Sequence, residues 1–127
     1  SRRVKGNKMA IIQLRAQFND QGFKGLVNNP HDRKAATEKF SEKIGFKLLN
    51  YYFAPATGSA VVTFEGDPKK MPLLEMIIME SGSFLTCGVE ILTPVEELME
   101  MQVTANTLTS EYDAPNRDEI DRMLLEE

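Results

Sequence analysis

The sequence has very few of the residues that build metal sites, disulfides and base-stacking surfaces. It contains one cysteine, Cys87, one histidine, His31, and no tryptophan. A single thiol excludes an internal disulfide and a zinc site made of several thiolates, and a single imidazole excludes sites that need two or three. Few aromatic residues lie among the basic ones, which disfavours a base-stacking surface. We therefore predict no metal, no cofactor and no nucleic-acid partner.

Long apolar runs are also missing. No stretch of about 18 apolar residues exists, which excludes a membrane-spanning helix. The first eight residues include four basic ones, and the four apolar residues that follow are too few for the core of a signal peptide. We expect residues 1–8 to be a disordered basic leader or an expression remnant. The protein is expected to be cytoplasmic, with no membrane partner.

What the sequence does contain is the composition of one globular domain. Of its 127 residues, 42% are hydrophobic and 27% are charged. Residues 1–50 carry 11 Lys and Arg against 4 Asp and Glu, a net charge of +7, whereas residues 51–95 carry −3 and residues 96–127 carry −8. The acidic tail is either solvated or packed against the basic half of its own chain or of a neighbouring copy.

The first half of the chain predicts one strand, one helix and two further strands. Apolar and polar residues alternate from Met9 to Phe18, which indicates a half-buried strand. A turn through Val27 is expected next, followed by a helix from Pro30 to about Ile44 with Asn29 as its N-cap. The apolar side of this helix is predicted to contain Ala36, Phe40 and Ile44. The next predicted strands are 46–53 and 59–65.

The second half repeats this plan. A helix is predicted from Pro68, capped by Asp67, to about Ser81, and the last long strand is predicted over 84–92. Two strand-helix-strand units give the order βαββαβ. We therefore predict an α+β, ferredoxin-like domain over residues 9–101, in which both helices cover one face of a four-stranded antiparallel sheet.

The residues after this domain are predicted to form an arm and a helix. A short helix through about Met101, with a capping box that begins at Thr93, precedes a polar, Thr-rich segment over 102–114 that we expect to be extended. A second capping box, at Asn116, begins a terminal amphipathic helix. Because so short a helix is unstable alone in water, residues 102–127 are expected to make oligomer contacts.

Three features of the chain have two interpretations each. Cys87 lies in an apolar alternation, which favours a buried, inert thiol over a reactive one. His31 falls in a first helical turn, where it is either an ordinary surface residue or a lone general base. The segment Met71–Met79 is apolar nearly all round, which indicates a subunit contact or an adaptable methionine-rich groove.

Several segments, taken in order, resemble the GYD family. They are the strand ending near Phe18 with Gln21-Gly22, the segment Pro30-His31-Asp32-Arg33, the strand Lys47-Leu48-Leu49-Asn50-Tyr51-Tyr52, the junction Phe64-Glu65-Gly66-Asp67-Pro68 and the ending Thr93-Pro94-Val95-Glu96-Glu97. The motif that names the family is missing from this chain. Its Tyr and Asp would fall near Gly58 and Ser59. The resemblance covers about Met9 to Met101. It implies a dimeric α/β barrel, and therefore a homodimer or a higher homo-oligomer, but it implies no defined catalytic activity.

A ferredoxin-like sheet with strand order 4-1-3-2 leaves one face without helices, which we call the open face. The alternation on the last strand places Leu85, Cys87, Val89 and Ile91 on the helix-covered face. Arg15 and Glu90, on adjacent strands, could pair across the open face. The candidate ligand-binding residues on this face are Gln13, Arg15, Tyr51 or Tyr52, Thr63, Glu65 and Glu90, accompanied by Gln17, Val61, Thr86 and Gly88.

Two interpretations of the open face remain. In a cavity between two sheets of a dimer, a guanidinium would bind an anionic group, and carboxylates and phenols would orient a ligand or transfer a proton. Alternatively, the polar residues fix the register of the two subunits. The predicted function is that of a homo-oligomeric small-molecule-binding or scaffolding protein. The alternative is a cofactor-free monooxygenase or isomerase, which rests on analogy between folds.

Overall fold

The computed structural model describes residues 3–4 and 7–126, and its first unit is built on one antiparallel sheet of four strands. Their order across the sheet is β2-β3-β1-β4, which is the predicted 4-1-3-2 order read from the other edge. The predicted α+β class with a four-stranded antiparallel sheet is therefore confirmed. The strands are β1 (Ala10–Phe18), β2 (Lys47–Ala54), β3 (Ser59–Gly66) and β4 (Phe84–Leu92).

The chain divides into two compact units, of which the first ends at Leu92 and the second is Thr93–Glu127. Before β1, the backbone of Arg3–Val4 pairs with that of Asn7–Lys8 in a short antiparallel ladder. The prediction of a disordered leader falls partly on residues 1–2 and 5–6, which lie outside the described residues.

Two helices, not one, connect β1 to β2. They are α1 (Asp20–Asn28) and α2 (Arg33–Lys43), so the turn predicted through Val27 is wrong. The side chain of Asn19 caps α1 by accepting a hydrogen bond from the backbone N–H of Gly22 at 2.9 Å. The amide of the same side chain donates to the carbonyl of Gly82 at 2.8 Å. These two bonds hold the start of α1 in place despite the low helix propensity of its glycines.

The start of α2 also differs from the prediction. Its N-cap is Asp32, whose side chain accepts a hydrogen bond from the backbone N–H of Ala35 at 3.0 Å. Asn29 is instead the C-cap of α1, and its backbone N–H donates to the carbonyl of Gly25. The Asn-Pro pair that predicted a helix start therefore lies in the link between two helices.

The side of α2 that packs on the sheet is only partly the predicted one. Thr37 and Ser41 are buried, and Phe40 and Ile44 are partly buried against the core. Ala36 is exposed, so its predicted place on the apolar side is wrong. The helix thus contacts the core with small hydroxyl side chains beside two large apolar ones.

The second crossover is a 3-10 turn, Pro68–Lys70, followed by α3 (Met71–Glu80). Asp67 caps the turn as predicted, accepting a hydrogen bond from the backbone N–H of Lys69 at 3.0 Å. Leu74 is the one fully buried side chain of α3. The sheet therefore covers one side of this apolar helix, as expected for a single sheet face. Large apolar side chains that remain exposed on α3 are Leu73, Met76, Ile77 and Met79.

The core lies between the helices and the helix-covered face of the sheet. Alternate residues of β1 and β3 point into it, which confirms the alternation predicted for these strands. Two phenylalanine rings, those of Phe46 and Phe64, pack 5.7 Å apart near its centre. The buried cluster consists of Ile12, Leu14, Ala16, Phe18, Phe46, Leu48, Ala60, Val62, Phe64 and Leu74.

The second unit is largely helical. It contains a 3-10 turn (Val95–Glu97), α4 (Leu98–Leu108), a further 3-10 turn (Thr109–Glu111) and α5 (Arg117–Leu125). The arm predicted to be extended over 102–114 is therefore helical through most of its length. The polar composition was misleading, because no proline or glycine interrupts the chain between 95 and 114.

The capping boxes predicted in this unit are not formed. The first turn begins after Pro94 instead of Thr93, and neither Pro94 nor Asn116, the N-cap of α5, makes a side-chain capping bond to the described residues. Both helices nevertheless form where a helix was expected to start. No helix in the described part of the chain is both long and apolar enough to cross a membrane.

Candidate ligand site on the open sheet face

The open face is organised in rows of residues that lie side by side across the four strands. The central row is Tyr52 of β2, Val61 of β3, Arg15 of β1 and Gly88 of β4. Neighbours in such a row have Cβ atoms about 5 Å apart. A phenol, a branched apolar side chain, a guanidinium and a position without a side chain therefore follow one another across the sheet.

The adjacent row is more polar. It consists of Asn50, Thr63, Gln13 and Glu90. The side-chain amide of Asn50 donates to the hydroxyl of Thr63 at 3.4 Å, a weak bond that links β2 to β3. Gln13, Thr63 and Glu90 thus lie on the open face as predicted from the alternation.

A bulge in β2 decides which tyrosine faces this side. The register shifts between Leu48 and Asn50, so that Tyr51 lies opposite Val62 and packs against the core. Tyr52 lies on the open face and is 62% exposed. Of the two tyrosines left as alternatives by the sequence, Tyr52 is therefore the one on the open face, and Tyr51 is not. Asn50 is an open-face residue that the sequence analysis missed, because nothing in a run of large residues marks a bulge.

A third row lies beyond the polar one. Glu65 is opposite Ile11 of β1 and Lys47 of β2, and Ile11 is opposite Leu92 of β4. Glu65 is therefore on the open face as predicted, between the apolar Ile11 and the basic Lys47. Whether it and the other predicted residues bind a ligand stays a prediction.

A second irregularity affects the start of β4. The register with β1 shifts at the end of that strand, so that Phe84 lies opposite Phe18, with ring centroids 4.7 Å apart. Phe84 packs against the core, and Leu85 is 60% exposed. The predicted core position of Leu85 is therefore wrong, whereas Cys87 and Val89 lie on the helix-covered face as predicted.

A groove of about 550 Å³ runs along the β1–β4 half of the open face. Its floor includes the backbone of β4 at Gly88, where an added Cβ would meet nothing within 4 Å. Arg15, directly opposite, forms one side. The open-face residues that line the groove are Gln13, Arg15, Gln17, Thr86, Gly88 and Glu90, and Thr57 and Ser59 line it as well.

The two charged residues of the groove do not neutralise each other. Glu90 lies opposite Gln13, and Arg15 lies opposite Gly88, so Arg15 and Glu90 are diagonal neighbours, whose Cα atoms are usually about 7–8 Å apart. Neither side chain forms an ion pair or a hydrogen bond within the described residues. The predicted pairing is therefore wrong, and the groove presents one cation and one anion to whatever occupies it.

Family comparison assigns residues 14–101 to the GYD domain, which confirms the resemblance seen in the sequence. The chain belongs to the GYD family. The GYD match spans both crossovers and includes Arg15, Tyr52, Gly88 and Glu90 of the open face. No curated protein and no solved structure matched the chain in the corresponding searches.

The GYD chain has one thiol, and its environment holds it protonated. Burial, and to a lesser degree the carboxylate of Glu75, raises the pKa of Cys87 from 9.0 to about 11. The thiolate needed for nucleophilic attack is therefore scarce at neutral pH, in agreement with the predicted inert thiol. Among the described residues of the GYD chain, no three His, Cys, Asp or Glu side chains are grouped to hold a metal ion.

Proposed function

We propose that this GYD protein is a homodimer that binds a small anionic molecule between the open faces of two copies. The observation that carries the proposal is Arg15, which lies in the groove without a protein partner among the described residues. A guanidinium offers paired N–H donors that match the two oxygens of a carboxylate or the oxygens of a phosphate. Glu90, two positions along β4 from Gly88, would accept a hydrogen bond from a donor group of the same ligand.

The second copy is proposed because one sheet provides only one wall. Small-molecule sites usually bury most of the ligand surface, whereas this groove is open on the side away from the sheet. The open face also carries the apolar residues Ile11, Val61 and Leu92 between its polar ones. A second sheet laid on the first would cover these residues and close the groove.

The absence of a side chain at Gly88 supports ligand binding over the alternative that the polar residues of the open face only fix the register of two subunits. If Arg15 only fixed the register of two subunits, a side chain at position 88 would not interfere with that role. A glycine here instead gives a ligand direct access to the strand backbone beside the guanidinium. The enzyme alternative has less support, because the backbone of Tyr52, the one phenol on the described open face, lies two strand spacings, about 10 Å, from that of Arg15.

Native mass spectrometry of the purified full chain tests both parts of the proposal. We expect a mass of twice 14.3 kDa plus a reproducible small added mass, which denaturation releases for identification. A dimer without added mass would support the register interpretation, and with it a scaffolding role, against ligand binding. A monomer would contradict the proposal as a whole.

Two variants separate binding from assembly. Arg15→Gln removes the cation, and Gly88→Val fills the groove from a position where an added Cβ meets nothing within 4 Å, so both should keep the dimer and lose the added mass. Lys39→Gln, the same charge change on the exposed side of α2, is the matched control and should keep both. An added mass that survives in Arg15→Gln and Gly88→Val would place the ligand elsewhere.

A further inference from the structure

A second cavity, of about 330 Å³, lies where β1 ends and β4 begins, and we call it the Arg33 cavity. Phe18, Phe84 and Leu26 give it an apolar side, and His31 and Arg33 give it a polar side. None of its lining residues is acidic, and it shares no lining residue with the open-face groove. The cavity is therefore a separate place at which a negatively charged group would be favoured.

The imidazole of His31 holds the guanidinium of Arg33 in a defined orientation. Arg33 Nη1 lies 2.8 Å from His31 Nε2, and His31 Nδ1 lies 2.7 Å from the carbonyl oxygen of Asn29. A guanidinium can only donate, so Nε2 accepts, and Nδ1 carries the hydrogen that it donates to Asn29. His31 thus links the guanidinium of Arg33 to the backbone and serves as a positioning residue for Arg33.

The other edge of the guanidinium has no acceptor. Among the described residues, the buried Nε of Arg33 makes no hydrogen bond and Nη2 has no partner. Nε and Nη2 form the side-on fork of the planar group, which matches the two oxygens of a carboxylate. Since buried donor atoms are nearly always satisfied, the unbonded Nε marks this edge of the half-buried Arg33 as the place where an acceptor is expected.

We propose that the Arg33 cavity binds a small carboxylate with an apolar body. The two carboxylate oxygens would accept hydrogen bonds from Nε and Nη2 of Arg33, and the body would pack against Phe18, Phe84 and Leu26. The volume of the cavity falls at the lower end of the usual range for small-molecule sites, so the ligand is compact. The site lies within one chain and does not depend on the proposed dimer.

Titration calorimetry of the full chain with benzoate, acetate and inorganic phosphate tests this proposal. The NMR chemical shifts of the backbone amides of Gly22 and Leu26, followed in the same titrations, report where the anion binds. We expect saturable binding of benzoate, at least tenfold tighter than that of acetate or phosphate, and shifts at both amides. Absence of saturable benzoate binding, or equal affinity for all three anions, would overturn the proposal.

Variants identify the group that binds. Arg33→Gln should weaken benzoate binding at least tenfold, and Lys34→Gln, the same charge change at the next and exposed residue, should change it less than twofold. Arg33→Lys keeps the charge without the fork, and it should weaken binding as well, which covers the case in which Arg33→Gln folds poorly. His31→Ala should weaken binding by a smaller factor, because the guanidinium remains but loses its orientation. Equal affinities in the Arg33 and Lys34 variants would refute the assignment.

Discussion

Arg15 and Arg33 each have N–H groups that donate to no acceptor among the described residues, but the two side chains are held in different ways. Arg15 projects from the central strand β1 and takes its position from the strand backbone and its neighbours Val61 and Gly88. Arg33 lies at the start of a helix and is fixed by a hydrogen bond to His31, which in turn is fixed by the carbonyl of Asn29. An arginine fixed by a second residue loses less conformational freedom when it binds a ligand.

Cys87 gives a prediction for pH dependence. Its raised pKa, about 11, means that the folded protein keeps the thiol proton over the range in which the unfolded chain, near 9.0, loses it. We expect the thiol of the folded protein to react with a disulfide reagent far more slowly at pH 8 than that of the urea-unfolded chain. Its rate should rise steeply between pH 9 and pH 11. The free energy of unfolding should fall over the same interval, since the unfolded state binds fewer protons there.

The control for this prediction is the carboxylate near the thiol. Glu75→Gln removes the smaller of the two causes of the shift and should raise the reaction rate at pH 8 modestly, whereas Glu80→Gln on the same helix should not. Equal rates for the folded and unfolded chains at pH 8 would show that Cys87 is not shielded.

At the scale of elements, strands with strict alternation were predictable and irregular ones were not. The faces of β1 and β3 follow from the sequence because every second residue is apolar. In β2 and at the start of β4 a register shift moves the faces by one residue, so the sequence left Tyr51 and Tyr52 as alternatives and placed Leu85 wrongly. A bulge depends on the pairing between strands, which one strand's sequence does not contain.

The helices show a similar division. The start of the second crossover was predicted by Asp67 and Pro68, whose cap is local. Helix α1 was missed because its stability comes from a bond between Asn19 and Gly82, 63 positions away. Propensity alone, with two glycines in nine residues, indicates a turn. Of the candidate site, the open-face residues on the regular strands were predicted, and the Arg33 cavity, which depends on α1, was not.

The two glycines of α1 form a matched pair for testing its packing. A Cβ at Gly22 would overlap the carbonyl oxygen of Ser83, whereas one at Gly25 would meet nothing within 4 Å. We expect Gly22→Ala to lower the free energy of unfolding by about 1–3 kcal/mol through overpacking. Gly25→Ala should raise it by up to about 1 kcal/mol through helix propensity. Urea unfolding of both variants measures the difference, and an equal change in the two would contradict the close approach of α1 to Ser83.

At the scale of the whole molecule, the proposed dimer can be tested by placing a charge in its centre. Val61 lies in the central row of the open face, between Tyr52 and Arg15. Val61→Lys should leave the circular dichroism spectrum unchanged and convert the dimer to a monomer of about the mass of one chain, because a lysine would be buried against the second sheet. Sedimentation velocity measures the mass.

The matched control is Val27→Lys, the same substitution at an exposed position of α1. This variant should remain a dimer, since α1 lies outside the proposed contact. A Val61→Lys protein that is still dimeric would mean that the copies associate through another surface, of which the exposed apolar side of α3 is the next to test.

The position of β1 at the centre of the sheet sets the order in which this protein can be assembled during synthesis. The hairpin of β2 and β3 closes within a few residues, across the turn between Ala54 and Ser59. By contrast, Ile11 of β1 pairs with Glu65 on one side and with Leu92 on the other. A ribosome therefore releases β1 first, yet this strand gains its first neighbour only after β3 has emerged and its second only after β4. Closing such long loops is slow, so the apolar side of β1 stays uncovered until its partner strands have been made.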